Sequence, residues 1–164
     1  MSMSKNEIRI LFGEQEKKPS EEQLKKKPKI LVVEDEIEIA DPLKELFEDD
    51  GWDVTTMRSG EGAIEELANN KFDVITCDVK LLGEKTGYDV INEIKGQIDR
   101  PAMLVVSSGI YRSQGVVFKK TEPDEAKITG IDYFVDKPFD LFQLQGAVKE
   151  AYEERLGRLN NGHK

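Results

Sequence analysis

Residues suited to phosphoryl transfer follow short apolar runs at four places in this chain. A carboxylate such as Asp78 can accept a phosphoryl group, and neighbouring acids such as Glu34 and Asp35 can bind a hard cation. A lysine such as Lys137 can neutralise charge on the transferred group. The four stretches, with their terminal polar residues, are Lys29–Asp35, Phe72–Asp78, Met103–Ser108 and Tyr133–Pro138.

Each apolar run has the length and composition of a buried strand. Four to six apolar residues between polar ones are typical of strands covered on both faces. In open parallel sheets, ligands bind beyond the carboxyl ends of such strands. We therefore expect Glu34, Asp35, Asp78, Ser107 and Lys137 to lie at one edge of a sheet.

Amphipathic segments between the runs predict helices. Pro42 lies inside the first, where it removes a backbone donor and could bend or delay that helix. A fourth helix is expected over 121–129, with Thr121 as its cap and Pro123 in its first turn. The other helices are indicated by Ile39, Leu43, Leu46 and Phe47 before Gly51; by Ala63, Ile64 and Leu67 after Ser59; by Val90, Ile91 and Ile94; and by Leu141, Leu144, Val148 and Ala151 after Asp140.

Strands that alternate with helices across short connections predict a parallel sheet with helices on both faces. We predict an α/β fold: a doubly wound, five-stranded parallel sheet with five helices in a three-layer sandwich. Residues 1–28 are polar and are expected to form a mobile charged arm. The globular domain is expected over 29–157, with a disordered tail over 158–164 and a loop over 109–120.

The order of an acidic pair, a single aspartate, a serine with a small neighbour and Lys-Pro resembles the receiver domain of two-component response regulators, over roughly residues 28–157. The resemblance implies a flavodoxin-like (βα)5 fold, with Asp78 as the phosphoacceptor and Mg2+ as the cofactor. It also implies that Asp35, Asp78 and the backbone carbonyl of Lys80 bind the metal directly, with Glu34 acting through water.

Three further residues complete the implied site. Lys137 would pair first with the phosphoacceptor and then with the phosphoryl oxygens, and Pro138 after it fits a cis turn. Ser107 would donate a hydroxyl to the phosphate, although Ser108 is an alternative; strand alternation and the resemblance favour Ser107. Phe134 matches the aromatic residue that moves inward in this family on phosphorylation, and a plain core phenylalanine is the alternative.

The loop after Asp78 departs from the family pattern. It reads Leu81-Leu82-Gly83 without the usual proline, and it is one residue longer before Gly87. We therefore expect looser metal coordination there. The side chain of Lys80 is expected either to obstruct the path of a hydrolytic water or to point into solvent.

Other functions fit the residues less well. Simple helix capping by Glu34 and Asp35 would leave the other site residues unexplained. An aspartyl phosphatase would need an acid where Lys80 stands, and residues 83–86 only imitate a phosphate-binding loop. A flavin-binding protein would not place two acids where phosphate binds. The main rival is a receiver-like docking module that works without phosphorylation.

The charge distribution is uneven along the chain. Residues 1–29 hold eight Lys/Arg against five Glu, whereas the remainder holds sixteen against twenty-eight acids. The acidic charge of the globular part argues against nucleic-acid binding. We interpret Lys25–Lys27 as a solvated linker or as a contact for an acidic partner. Cys77 is expected in the core of a cytoplasmic protein, because no second cysteine, membrane span or signal peptide is evident.

These features predict a single-domain response regulator without independent enzymatic turnover. Its expected partners are a histidine kinase or phosphotransfer protein and a downstream protein target, reached by phosphorylation-dependent binding or phosphorelay. A homodimer through the face of helix 4, strand 5 and helix 5 is a further option. The 109–120 segment carries apolar and basic side chains and is expected either to determine partner specificity or to fold back onto helix 4.

Overall fold

A computed structural model describes residues 26–108 and 117–162 of the chain. Strands and helices alternate through these residues. In chain order, the elements are β1 (Lys29–Val33), α1 (Ile37–Asp49), β2 (Asp53–Met57), α2 (Gly60–Asn69), β3 (Val74–Asp78), α3 (Gly87–Ile94), β4 (Ala102–Ser108), β5 (Phe118–Lys120), α4 (Pro123–Thr129), β6 (Tyr133–Lys137) and α5 (Leu141–Asn161).

The described strands form one six-stranded sheet in the order β2-β1-β3-β4-β6-β5. The strands β2, β1, β3, β4 and β6 are parallel to one another. The edge strand β5 runs antiparallel to β6. The predicted doubly wound, flavodoxin-like fold with five helices is therefore confirmed. The parallel registers bring the carboxyl ends of β1, β3, β4 and β6 to the same edge of the sheet.

Alternation along the strands divides the core into two layers. Ile30 and Val32 face one side, where they pack with Phe47 of α1 and Leu144 of α5. The intervening strand positions face α2 and α3 on the other side. The central strands are apolar because both of their faces are covered. This second layer includes Leu31, Val33, Ile75, Val90, Ile91 and Ile94.

The short strand β5 was not predicted, because Phe118–Lys120 lies in the segment expected to be a loop. Three residues with two lysines carry no strand periodicity of their own. Pairing with the edge of β6 and the ion pairs of Lys120 with Glu150 and Glu154 on α5 hold them in place. The rest of that predicted loop, residues 109–116, lies outside the described residues.

Most helix starts agree with the predictions. Ser59 caps α2 by accepting a hydrogen bond from Gly62, and Asp140 caps α5 through two backbone amides. Helix α1 continues through Pro42 without a delayed start. The cap of α4 is Glu122, one residue after the predicted Thr121.

Helix α5 is longer than predicted. It continues through Asn161, so residues 158–161 belong to this helix and not to a disordered tail. Its last turns are anchored, since Arg155 pairs with Asp73 at 3.0 Å and Arg158 pairs with Asp132 at 2.9 Å. The predicted N-terminal arm lies outside the described residues up to position 25. No helix in the described ranges combines the length and apolarity that a bilayer span requires.

Candidate functional site

The carboxyl ends of four strands surround a cavity of about 320 Å³. Every residue predicted from the strand ends is at this edge of the sheet. Glu34 is buried and is not among the residues that line the cavity, but it pairs with Lys137, which is. The cavity is lined by Asp35, Glu36, Asp78, Val79, Lys80, Tyr88, Ser107, Ser108 and Lys137.

The Lys137 ammonium connects the acidic residues. Its Nζ lies 2.6 Å from Asp78 Oδ2, 3.0 Å from Glu34 Oε2 and 3.4 Å from Glu36 Oε1. Burial alone would lower the pKa of Lys137, but hydrogen bonds to Asp78 and Glu34 outweigh it and raise the pKa well above its ordinary value. The peptide bond to Pro138 is cis, as the sequence suggested. Lys137 is therefore a fixed positive charge against the Asp78 carboxylate.

Four carboxylates crowd this edge of the sheet. Glu34, Asp35, Glu36 and Asp78 each offer an oxygen, and these oxygens lie within 4.8 Å of one another. Glu34 is 3 % exposed. Burial and the nearby charge of Asp78 raise its pKa to about 7, although bonds from Lys137 and the Glu36 amide oppose this shift. The Lys137 ammonium does not balance all the negative charge of this cluster. The cluster therefore offers excess negative charge on a set of oxygen donors, which is what Mg2+ prefers.

Lys80 approaches Asp78 through its backbone. Its N–H donates a hydrogen bond to Asp78 Oδ1 at 3.2 Å, while its side chain is exposed at the cavity. Further along the loop, the Gly87 N–H donates to the Val79 carbonyl at 2.9 Å and closes the chain back onto the end of β3.

Two serines of β4 line the same cavity. Ser107 is 8 % exposed, and its Oγ has no hydrogen-bond partner among the described residues, whereas Ser108 is exposed. A buried hydroxyl without a partner is costly, so that of Ser107 is available to a ligand oxygen. Phe134 is half-buried and packs against the core layer under α2 and α3. The roles given to Ser107 and Phe134 stay predictions.

Sequence reasoning missed three residues that line this cavity, the apolar Val79 and two polar ones. Glu36 is the third of three consecutive acids after β1, and that run was a signal for a larger cluster. Tyr88 enters from the first turn of α3, and no spacing in the sequence indicated it. Cys77 is buried as predicted, and its Sγ lies 3.4 Å from the Asp78 carbonyl. Burial raises the pKa of this thiol far above its usual range.

Comparison with known proteins identifies the family. Residues 30–149 match the family model described as the response regulator receiver domain. The chain therefore belongs to the receiver domains of two-component response regulators.

Individual relatives agree with this assignment. The chain is 34% identical over 118 residues to the response regulator SaeR of Staphylococcus aureus, a match that covers 70% of this chain and 46% of SaeR. The Francisella response regulator 1452 receiver domain is 25% identical, with a TM-score of 0.63 over 77% of this chain and 98% of that one. The curated relatives are longer proteins, of which this chain spans about a quarter to a half.

The structural neighbours include proteins solved with ligands bound. Response regulator TrrA of Thermotoga maritima, in complex with Mg2+-BeF, is 26% identical with a TM-score of 0.58, covering 76% of this chain and 98% of TrrA. Phosphorylation and Mg2+ binding are typical of the family, and the acidic cluster of this chain has the donor set for such an ion.

Proposed function

We propose that this chain accepts a phosphoryl group on Asp78 in a Mg2+-dependent reaction, with a histidine kinase or phosphotransfer protein as the donor. One observation carries the proposal. The Asp78 carboxylate is held 2.6 Å from the Lys137 ammonium, beside three further carboxylates, at the mouth of an open cavity. This arrangement combines a nucleophile, a charge-neutralising cation and a metal-binding donor set.

In the proposed reaction, a carboxylate oxygen of Asp78 forms a bond to the phosphorus of a phosphohistidine on the partner. The P–N bond breaks, and the imidazole nitrogen leaves with the electron pair and takes up a proton from water. Lys137 pairs with a phosphoryl oxygen as charge moves from the donor onto the acyl phosphate. The Ser107 hydroxyl donates to a second phosphoryl oxygen.

Asp35, Asp78 and the Lys80 carbonyl are the proposed metal ligands, with Glu34 acting through water. These residues would hold Mg2+, which would supply positive charge against the carboxylates and the phosphoryl oxygens. Glu34 does not line the cavity and is held by Lys137 and the Glu36 amide, which suits an indirect role.

The output that we propose is binding to a downstream protein or onward transfer of the phosphoryl group, in the cytoplasm and without independent substrate turnover. Movement of Ser107 toward the phosphoryl group would open space for Phe134 to turn inward and would change the surface near α4. The domain boundaries at 29 and 157 are proposed for the receiver unit, with α5 extending beyond the second.

Intact-mass measurement after incubation with acetyl phosphate tests this function. With Mg2+ the wild type should gain one phosphoryl group, and with a chelator it should gain none. Asp78→Asn should gain none under either condition, whereas Asp49→Asn, which changes an exposed residue of α1, should behave as wild type. A wild type that stays unmodified with Mg2+ would favour a docking module that works without phosphorylation.

A further inference from the structure

The loop between β3 and α3, residues 79–86, carries the carbonyl proposed as a metal ligand. Val79 and Leu81 at its start pack against the core layer under α2 and α3, but the rest of the loop does not. Residues 82–86 are exposed. Gly83 has a φ of 88°, a conformation that favours glycine, and no proline stiffens the segment. Contacts from outside the loop must therefore hold the exposed residues that follow Lys80 and Leu81.

The carboxylate of Glu61, in the first turn of α2, supplies such contacts. Its Oε1 accepts hydrogen bonds from the N–H groups of Glu84 at 2.9 Å and Lys85 at 3.0 Å. Its Oε2 lies against Gly83, where an added Cβ would be 2.7 Å away. Hydrogen bonds from its own amide and from those of Lys85 and Glu84 lower the pKa of Glu61, so it accepts as a carboxylate at neutral pH.

The start of α2 also lies close to this loop through its backbone. A Cβ on Gly60 would be 2.7 Å from the Cβ of Lys85 and 2.8 Å from its carbonyl oxygen. Ser59 and Leu82 form an isolated parallel bridge next to it. The loop therefore rests on the amino end of α2, and the Glu61 carboxylate provides the hydrogen bonds at that contact.

We propose that Glu61 is a positioning residue of the phosphorylation site. Its carboxylate fixes the amides of residues 84 and 85, this orders the loop back to Lys80, and the ordered carbonyl sets the affinity for Mg2+. The part that concerns Mg2+ rests on the proposed function. Glu61 itself is not among the residues that line the cavity.

Hydrogen exchange in metal-free buffer tests the anchoring step without reference to phosphorylation. Glu61→Ala should speed exchange at the amides of Glu84 and Lys85, whereas Glu65→Ala, an exposed acid on the same helix, should not. Exchange that is unchanged in Glu61→Ala would overturn the proposal.

Calorimetric titration with MgCl2 tests the functional step. Because residues that orient metal ligands typically affect affinity by 10- to 100-fold, we expect Glu61→Ala to weaken Mg2+ binding by about tenfold, with the melting temperature in chelator unchanged. Glu61→Gln keeps an acceptor oxygen and should recover most of the affinity, and Glu65→Ala should match wild type.

The outcomes separate this inference from the proposed function. Wild-type protein that binds no Mg2+ would refute the proposed function, while the exchange measurement would still decide the anchoring. Wild-type protein that binds Mg2+, with Glu61→Ala equal to it, would refute this inference alone. If Glu61→Gln loses as much affinity as Glu61→Ala, the effect is one of charge and not of position, which also contradicts the proposal.

Discussion

The raised pKa of Glu34 indicates that the acidic cluster lowers the stability of the metal-free protein. The pKa of Glu34 is about 7 in the folded chain, compared with an ordinary value of 4.5. Below pH 4.5 the residue is protonated in both states. Between pH 4.5 and 7 the unfolded chain ionises Glu34 while the folded chain holds the proton, so this residue lowers stability as pH rises.

We therefore predict that Glu34→Gln gains stability over wild type as pH rises through this window in a chelating buffer. The full difference would be up to about 3 kcal/mol above pH 7. Thermal melts of both proteins between pH 4.5 and 8 provide the measurement. Parallel stability curves for the two proteins would show that Glu34 has an ordinary pKa.

The Lys80 side chain is predicted to slow loss of the phosphoryl group. It is exposed at the cavity through which a hydrolytic water must approach. Lys80→Asn should speed dephosphorylation several-fold at fixed Mg2+, because an amide can orient water where the ammonium obstructs it. Decay of the purified phosphoprotein would be followed by intact mass, with Lys44→Asn on α1 as the control. Equal decay rates would make Lys80 a bystander.

Residue types at strand ends were enough to predict most of the candidate site. Asp78, Ser107 and Lys137 each follow an apolar run, and parallel pairing brings those ends together. The position of Glu61 could not be predicted, because its partners are backbone amides in a loop and a sequence does not show which carboxylate they meet.

At the scale of elements, the opposite end of the sheet holds a buried ionic network. Arg100 pairs with both carboxylate oxygens of Asp132 at 2.8 and 3.0 Å, and Arg158 of α5 adds a third bond. The Arg100 and Asp132 side chains are 9% and 11% exposed, whereas that of Arg158 is 42% exposed. Removing one partner of a buried pair leaves the other charge uncompensated.

We predict that Arg100→Ala lowers the free energy of unfolding by about 3 kcal/mol. Arg158→Ala should cost about 1 kcal/mol or less, because its side chain is 42% exposed and solvent screens its pair with Asp132. Urea denaturation of both variants measures the difference, and the phosphorylation of Asp78 should persist in each under native conditions. Equal losses would mean that burial of the Arg100 pair contributes nothing extra.

Long periodic elements were predicted well, and short or tertiary-dependent ones were not. The apolar residues of α1 recur at helical spacing, and β1 and β3 are continuous apolar runs, so the sequence alone predicts these elements. Strand β5 has three residues and depends on the edge of β6, and the last turn of α5 depends on partners such as Asp132 that are distant in sequence. No local pattern reports such contacts.

At the scale of the whole molecule, β5 alters the face where a homodimer was considered. The sheet edge next to β6 is covered by β5, and Lys120 joins that strand to Glu150 and Glu154 on α5. The predicted fifth strand is β6 in the structure, because β5 was not predicted. A dimer through α4, β6 and α5 would therefore contact β5 and not an open edge of β6. The candidate phosphorylation site lies at the carboxyl ends of the strands and leaves its cavity open to a partner.

The central claim is that Asp78 carries the phosphoryl group as an acyl phosphate. Reduction of the acetyl phosphate-treated protein with borohydride, followed by tandem mass spectrometry, identifies the modified residue directly, since an aspartyl phosphate is converted to homoserine. The account predicts homoserine at position 78 in the Mg2+ sample and unmodified aspartate in the chelator sample. Homoserine at another aspartate, or an aspartate at position 78 that remains intact while the protein gains phosphate, would contradict it.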